Sequence, residues 1–169
     1  MFDKLRRIFK HRWLDERDTR RTIPADMLQR LTQRVRASER RHSGEVRIFV
    51  EAGLPMSYLL RGASARERAV ALFAKLGVWD TAHNNGVLIY LLLAERAIEI
   101  VADRGLAAHV EAGEWAAMVQ RLGAALREGR YEEGLTQALE EVSAALVERF
   151  PLVPGDSNPN ELPDEPILN

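Results

Sequence analysis

The stretch that decides the fold is Val87-Leu88-Ile89-Tyr90-Leu91-Leu92-Leu93, a run of apolar side chains without a charge or a break. It is too short to cross a bilayer and is typical of a central strand covered on both faces, so helices must lie on both faces of the sheet. Ala97–Val101 follows after only a few residues, too close for a crossover. We therefore expect it to be the antiparallel partner of a hairpin that turns near Glu95–Arg96.

An earlier strand is indicated at residues 46–51, where Val46, Ile48 and Val50 alternate with residues of the opposite face. A helix over 64–77 follows, because Ser64 and Glu67 have the spacing of a capping box. A helical crossover makes the two strands parallel. The order is thus strand, crossover helix and β-hairpin, in one small mixed sheet.

Helices are also predicted on either side of this core. The first is capped by Thr22, has Pro24 in its first turn and ends near His42–Gly44. Two more are expected at about 114–128 and 131–150. The fold class is therefore α/β, a three-layer α/β/α sandwich with helices covering both faces of the sheet.

Composition limits the classes of function. A chain of 169 residues with 46% apolar content suffices for one ordinary domain. The absence of cysteine excludes thiolate zinc sites and cysteine nucleophiles. A net charge of −1 gives no polycationic surface, so we expect no nucleic-acid partner. The basic start has no apolar signal core behind it, which favours a cytoplasmic location, with peripheral contact at the inner membrane face as an extension.

The two ends differ from the middle in charge. Residues 1–21 form a basic segment with a local charge of +4, and residues 151–169 are acidic and rich in proline, without Lys or Arg. We expect this tail to be a disordered, extended appendage that packs no core. The folded domain is then residues 22–150.

Residues 1–14 have the pattern of a basic amphipathic helix. Phe2, Leu5, Phe9 and Trp13 fall on one stripe, and the basic side chains are Lys4, Arg6, Arg7, Lys10 and Arg12. A helix this short is marginal in water and needs a surface. Three surfaces remain open, namely its own domain, an anionic lipid surface and a membrane partner.

Polar residues converge where the strands begin. With a hairpin turn at Glu95–Arg96, the numbers of facing residues sum to about 191, which puts Asn85 and Gly86 beside Arg104 and Gly105. The start of the first strand meets them, so one edge gathers Asp80, Asn84, Asn85 and Asp103 with Glu45, Trp79, His83 and Arg104. Such oxygen ligands suit Ca²⁺, Mg²⁺ or Mn²⁺. The alternative is that Asp and Asn only stabilise turns by bonding to their own backbone. A metal site of His42 and His83 has less support, because the sequence offers no third nitrogen ligand and no cysteine.

A rival site lies at the other end of the parallel strands, where ligands of open α/β sheets usually bind. It would use Glu51, Arg61 and the helix start at Ser64-Ala65-Arg66 to hold an anion, although nearly every capped helix start looks like this. The chain contains no glycine-rich phosphate loop, nucleophile elbow or His-Glu-x-x-His motif.

The segment from Trp79 to Tyr90, continued by Glu99–Gly105, resembles the TPM-domain family, and the likeness extends from about Pro24 to Pro151. Its most specific part is Asn84-Asn85-Gly86 at the strand entry, with Gly44-Glu45-Val46 before the first strand. The chain is similar in particular to short bacterial members without an anchor. The resemblance implies an α/β/α sandwich and a metal-ligand role, for calcium above all, at Asp80, Asn84, Asn85 and Asp103.

The same resemblance implies two kinds of function. Some members are described as acid phosphatases, plant members act in the repair of photosystem complexes, and bacterial members often accompany LemA-type membrane proteins. We therefore expect a non-enzymatic interaction or assembly module that serves a membrane or envelope partner. The alternative is a divalent-cation-binding phosphatase that acts at the Asp80/Asp103 edge.

Overall fold

The structure is a computed structural model that describes residues 2–153, 155–156 and 158–169. The helices are α1 (Phe2–Trp13), α2 (Glu16–Thr22), α3 (Ala25–Glu39), α4 (Met56–Arg61), α5 (Ala65–Lys75), α6 (Arg104–Ala107), α7 (Ala112–Arg127) and α8 (Tyr131–Arg149). The strands are β1 (Val46–Glu51), β2 (Val87–Leu92), β3 (Ala97–Ala102) and β4 (Ile167–Leu168).

These strands form one mixed sheet in the order β3-β2-β1-β4. β1 and β2 are parallel, with Ile48 beside Ile89, and β2 and β3 form the predicted antiparallel hairpin. Every residue of β1 and β2 is buried. The predicted strand, crossover and hairpin in a helix-covered mixed sheet are therefore confirmed.

The two faces of the sheet carry separate cores. Ile48, Ile89 and Ile100 belong to the core that includes side chains of α3, α7 and α8. Phe49, Tyr90 and Val101 belong to the core that includes Leu72 of α5. Because neighbouring residues of a strand point to opposite faces, this division assigns each polar residue at the ends of the strands to one face.

Two helix starts show how local chemistry sets the boundaries. The Ser64 hydroxyl accepts a hydrogen bond from Glu67 N at the start of α5, and the Glu67 carboxylate accepts from Ser64 N, so the capping box is confirmed. The prediction that Thr22 caps the next helix is wrong. Thr22 is the last residue of α2, which Asp15 caps, and Pro24 precedes α3 without a side-chain cap.

The hairpin register also needs a correction. Val87 faces Ala102 and Leu92 faces Ala97, so the numbers of facing residues sum to 189 rather than 191. Leu93–Glu95 form a 3₁₀ turn and Arg96 has φ 49°. The turn thus begins two residues earlier than predicted, and Gly86 faces Asp103 instead of Gly105.

The acidic tail differs from the predicted appendage that packs no core. It is extended, but Ile167–Leu168 form β4, parallel to β1, and Leu162 and Ile167 pack against the core on the α5 face. Asn169 N donates to Val50 O at 2.9 Å and Ala52 N donates to Asn169 O at 2.8 Å. Prolines did not prevent this pairing because an edge strand needs only some of its amides.

Candidate functional site

Three residues at the start of the strands lie in one row across the sheet. Val87 N donates to Glu45 O at 2.8 Å and Asp103 N donates to Gly86 O at 2.9 Å, which places Glu45, Gly86 and Asp103 side by side on the α5 face. Both carboxyl groups are buried, and each keeps one oxygen, Glu45 Oε1 or Asp103 Oδ2, without a partner among the described atoms. Burial raises the pKa of Glu45. We call this end of the sheet the amino edge.

The loop before β2 is built by its own polar side chains. Asn85 N donates to Thr81 Oγ1 at 3.1 Å, and Asn85 Nδ2 donates to Ser43 Oγ at 3.2 Å. Asn84 has φ 52°, and its carbonyl accepts from Gly105 N at 2.8 Å. A Cβ on Gly105 would stand 2.4 Å from that carbonyl oxygen, so only glycine permits this approach. A Cβ on Gly86 would likewise stand 1.9 Å from Val78 O, so backbone packing explains the glycine of the Asn-Asn-Gly entry.

The structure brings the predicted site residues to one edge of the sheet, but they differ in burial and in hydrogen bonding. Asn85 and Asp103 are buried, whereas Asp80, Asn84, Trp79, His83 and Arg104 are exposed. Asp103 Oδ1 accepts from Arg104 N at 2.6 Å and caps α6. The side-chain amide of Asn85 is bonded within the loop and to Ser43.

The four residues implied as metal ligands do not fit a preformed calcium site. Among the residues that the structure describes, no group of three or more His, Cys, Asp or Glu side chains could hold a metal ion. Only Asp103 offers a buried, uncommitted oxygen of the four, and a calcium site needs six or more.

Calcium binding at Asp80, Asn84, Asn85 and Asp103 stays a prediction that a melting experiment can test. Because Asp80 and Asn84 are exposed and the Asn85 and Asp103 side chains are bonded within the protein, we expect millimolar CaCl₂ to leave the melting temperature unchanged. A ligand at 100 times its Kd would instead add about 2.7 kcal/mol of stability. A rise that disappears in Asp103→Asn would show that the loop reorganises around the ion.

His42 is bonded elsewhere and does not form the predicted two-histidine site with His83. Nδ1 lies 3.1 Å from Gly44 O, which can only accept, so Nδ1 carries the proton and Nε2 accepts from the Ser38 hydroxyl at 2.7 Å. Burial lowers the pKa of His42 to about 4. His42 is therefore a neutral core residue with both nitrogens bonded.

At the rival anion site at the other end of β1, Glu51, Arg61 and the two capping-box amides are already bonded within the protein. Arg61 pairs with Glu67 at 2.8 Å, and the capping box takes up the Ser64 and Glu67 amides. Glu51 accepts from Arg68 Nη2 at 2.6 Å and from the Tyr90 hydroxyl at 2.7 Å. The arrangement closes that end of the sheet and leaves no prepared anion pocket among the described residues.

Helix α1 docks on its own domain through its polar side. His11 is 2% exposed, and its Nδ1 accepts from Leu54 N at 3.0 Å, which leaves Nε2 to donate to Glu95 at 3.0 Å. Arg7 donates to Glu95 at 2.8 Å and to Ala63 O at 2.7 Å. Hydrogen bonds from His11 and then Arg7 lower the pKa of Glu95 to about 2. This helix is anchored by specific bonds, not by its apolar stripe.

The apolar stripe of α1 faces away from the domain. Its exposed fractions are 88% at Phe2, 48% at Leu5, 70% at Phe9 and 84% at Trp13. At about 100° per residue, these side chains lie opposite His11, and Arg12 flanks them on one side with Arg6 and Lys10 on the other. All three flanking basic residues are exposed. The predicted helix is confirmed, but its apolar face is not core.

Sequence reasoning missed several residues that hold the two ends of the chain. Glu95 anchors α1, and the side chains of Arg36, Glu39 and Arg47 lie along the acidic tail. The signal that could have found them was a set of charges at positions of buried strands, Glu45, Arg47 and Glu51, each of which requires a partner.

The chain has the fold of an α/β/α sandwich around a mixed sheet. Comparison with known proteins identifies its family within that fold class. The TPM domain model matches residues 17–145, and the chain belongs to the TPM-domain family. No curated protein matches it.

Two solved structures share the fold. The BA42 protein of the psychrophilic bacterium Bizionia argentinensis superposes with a TM-score of 0.72 at 24% identity, over 85% of this chain and 92% of that one. The N-terminal domain of a protein from P. gingivalis gives a TM-score of 0.57 at 22% identity, over 72% and 76%. At these identities the likeness establishes the fold alone.

The hypothesis of membrane contact does not involve a membrane-spanning helix in the described part of the chain. None of the helices there combines the length and the apolar content that a crossing requires.

Proposed function

We propose that this TPM-domain protein is a non-enzymatic interaction module that attaches to anionic membrane surfaces through α1. The observation that supports the proposal is the orientation of α1, whose apolar stripe points to solvent while its polar side is bonded to the domain. If Phe2, Phe9 and Trp13 were buried in the protein, they could not contact lipid.

The chemistry of the exposed face matches a lipid interface. Large apolar side chains occupy its centre, and Arg6, Lys10 and Arg12 lie at its margins, where they would meet headgroup phosphates. Lys4 and Arg7 are engaged in docking, since Lys4 Nζ donates to Leu60 O at 2.6 Å. Each free basic residue near an anionic leaflet contributes about 1 kcal/mol, and neither charge nor a short stripe suffices alone.

Docking to the domain removes part of the cost of binding. An isolated helix of this length would have to fold on the membrane, whereas α1 is already held by His11, Arg7 and Lys4. The neighbouring α4 adds exposed Met56 and Leu60 beside it. The domain would thus lie on the bilayer with α1 beneath it, in position to engage a membrane protein.

We do not extend the proposal to phosphoester hydrolysis at Asp80 and Asp103. A metal-assisted mechanism needs several oxygen ligands around one ion. Among the described residues, no three His, Cys, Asp or Glu side chains are grouped to hold an ion, and Asp80 is exposed while Asp103 caps a helix.

Sedimentation with lipid vesicles tests the proposal. We expect the full chain to bind vesicles that contain phosphatidylglycerol and not to bind vesicles of pure phosphatidylcholine. Salt should release the bound protein as it rises from about 0.1 M to about 1 M, because the Debye length falls from ~10 Å to ~3 Å. The double variant Phe9→Ser, Trp13→Ser should bind at least about tenfold more weakly, because each side chain contributes roughly 1.5–3 kcal/mol when buried.

A matched control separates the stripe from general surface hydrophobicity. Val70 on α5 is also exposed and apolar, at 48%, and Val70→Ser should bind vesicles as the parent does. Equal binding by all three chains, or none by the parent at low salt, would contradict the proposal.

A further inference from the structure

The tail makes a dense set of polar contacts along the outer edge of β1. We call residues 158–169 the strap. Glu161 accepts from Ala82 N at 3.1 Å, Leu162 N donates to Glu45 Oε2 at 3.0 Å, and Asp164 accepts from Arg36 Nε at 2.7 Å. β4 then continues the sheet, with Ile167 beside Phe49. The strap therefore contacts the domain through both its side chains and its backbone.

The domain side of this contact includes the buried charged residues Glu45 and Arg47. Arg47 is buried in β1, and its Nη1 donates to the carbonyl oxygens of Pro163 and Glu165. It makes no close ion pair with a carboxylate of the described residues. A buried guanidinium needs hydrogen-bond acceptors. If neither the strap nor another segment occupied this position, Arg47 would lose the two carbonyl oxygens that accept its hydrogen bonds.

The chemistry of this groove specifies an extended acidic segment. Arg36 and Ala82 N bind carboxylates, and Arg47 binds main-chain carbonyls. The free edge of β1 accepts a parallel strand, and the core on the α5 face takes apolar side chains such as Leu162 and Ile167. This is recognition by β-strand addition, in which backbone bonds give affinity and alternate side chains give specificity.

Other features favour a strap that can detach from the domain. It lies outside residues 17–145, which match the family model, and only Ile167 and Leu168 form strand pairs. Its Asp164 also approaches Glu39 and Glu45, and these neighbouring carboxyl groups raise the pKa of Glu39 further above the value that burial sets. Ionisation of Glu39 and Glu45 would oppose the attachment that Arg36 and Arg47 provide.

We propose that the groove along β1 is a peptide-docking site for an extended acidic segment of a partner protein, and that the strap occupies it in cis as a competitor. The segment it fits carries the pattern of Glu161-Leu162-Pro163-Asp164, followed by apolar residues for the sheet edge. Because Glu161 also binds the loop before β2, release of the strap would uncover the amino edge until the partner segment covers it again. This inference is independent of α1.

Exchange against a labelled peptide tests the proposal. A protease site is inserted between Gly155 and Asp156, which are exposed, and the purified full chain is cleaved while folded. A fluorescent peptide of residues 158–169 should then bind the cleaved protein. Before cleavage it should bind about 100-fold more weakly, because a tethered strap competes at a high effective concentration.

Variants of the peptide serve as matched controls and cannot disturb folding of the domain. Glu161→Gln with Asp164→Asn should weaken binding by about tenfold, since two charge-assisted contacts are lost. A scrambled peptide of the same composition should not bind. Failure of the parent peptide to exchange into the cleaved, folded protein, or equal binding of the scrambled peptide, would overturn the proposal.

Hydrogen exchange on the uncleaved chain gives a second readout. If the strap detaches while the domain stays folded, the Leu162 and Asn169 amides should exchange much faster than Val87 N, which lies within the β1–β2 pair. Equal protection at all three amides would show that the strap opens only with global unfolding, against the proposal.

Discussion

Replacement of Glu51 by alanine is expected to lower the free energy of unfolding by about 3–5 kcal/mol, because it leaves the partly buried Arg68 guanidinium and the buried Tyr90 hydroxyl without their acceptor. Glu51 is 1% exposed and accepts from Arg68 at 2.6 Å and 3.0 Å. Burial and the Glu51 charge raise the pKa of Tyr90, whose protonated hydroxyl donates to the same carboxylate. Both donors would lose their acceptor at once.

Thermal and urea unfolding measure this effect. For a chain of this size, 1 kcal/mol moves the melting temperature by roughly 2–4 °C, so a fall of about 10 °C is expected. The control is Arg121→Ala, which breaks an exposed ion pair of 2.7 Å with Glu141 and should cost under about 1 kcal/mol. Similar losses in the two variants would refute the assignment of Glu51 as a buried anchor.

The second large effect is a dependence of stability on pH that comes from Glu39. Burial, with Glu45 and Asp164 nearby, raises the pKa of Glu39 to about 8 from an ordinary 4.5. The folded chain therefore holds a proton that the unfolded chain releases. This stabilising contribution is complete below pH 4.5 and is gone above pH 8. Between these limits, each rise of one pH unit removes up to about 1.36 kcal/mol.

Glu39→Gln isolates that contribution. The amide oxygen can still accept from Val46 N, as Glu39 Oε1 does at 2.9 Å, and it cannot ionise. We expect the variant and the parent to be similar at about pH 5 and the variant to be more stable by roughly 2–4 kcal/mol at about pH 9. Urea unfolding across this range measures the difference in stability between the two chains. His42 is present in both chains, so its contribution cancels in that difference. A difference that is constant with pH would show that Glu39 titrates normally.

The centre of the fold could be predicted because one physical pattern dominates it. The apolar run at 87–93 requires cover on both faces, and the short distance to Ala97 requires a hairpin. The register could not be predicted, since it depends on whether Leu93 belongs to the strand or the turn. Leu93 is as apolar as its neighbours, yet it begins the 3₁₀ turn.

The ends of the chain show a different limit of sequence reasoning. Periodicity identified the α1 helix and its stripe, but not which side would dock. His11 and Arg7 decided that, because Glu95 and the Leu54 amide offer them specific partners at the hairpin end of the sheet. These partners are distant in sequence, and only the fold brings them together.

The acidic tail shows how composition can mislead. Its prolines and lack of Lys or Arg predict an appendage without a core. Arg47 was the opposing signal, because a charge in the middle of a buried strand needs acceptors from elsewhere in the chain. Pro163 and Glu165 supply them through their backbone, which side-chain composition does not reveal.

The central claim is that the exposed face of α1 enters a lipid interface. The chain has three tryptophans, so a full-length variant with Trp79→Phe and Trp115→Phe leaves Trp13 as the single reporter. On vesicles that contain phosphatidylglycerol, we predict that the emission of Trp13 shifts to the blue and is quenched by lipids brominated high on the acyl chain, because such helices lie about 5–10 Å into the boundary. Trp13 emission that is neither shifted nor quenched, in a folded chain at low salt, would contradict the account.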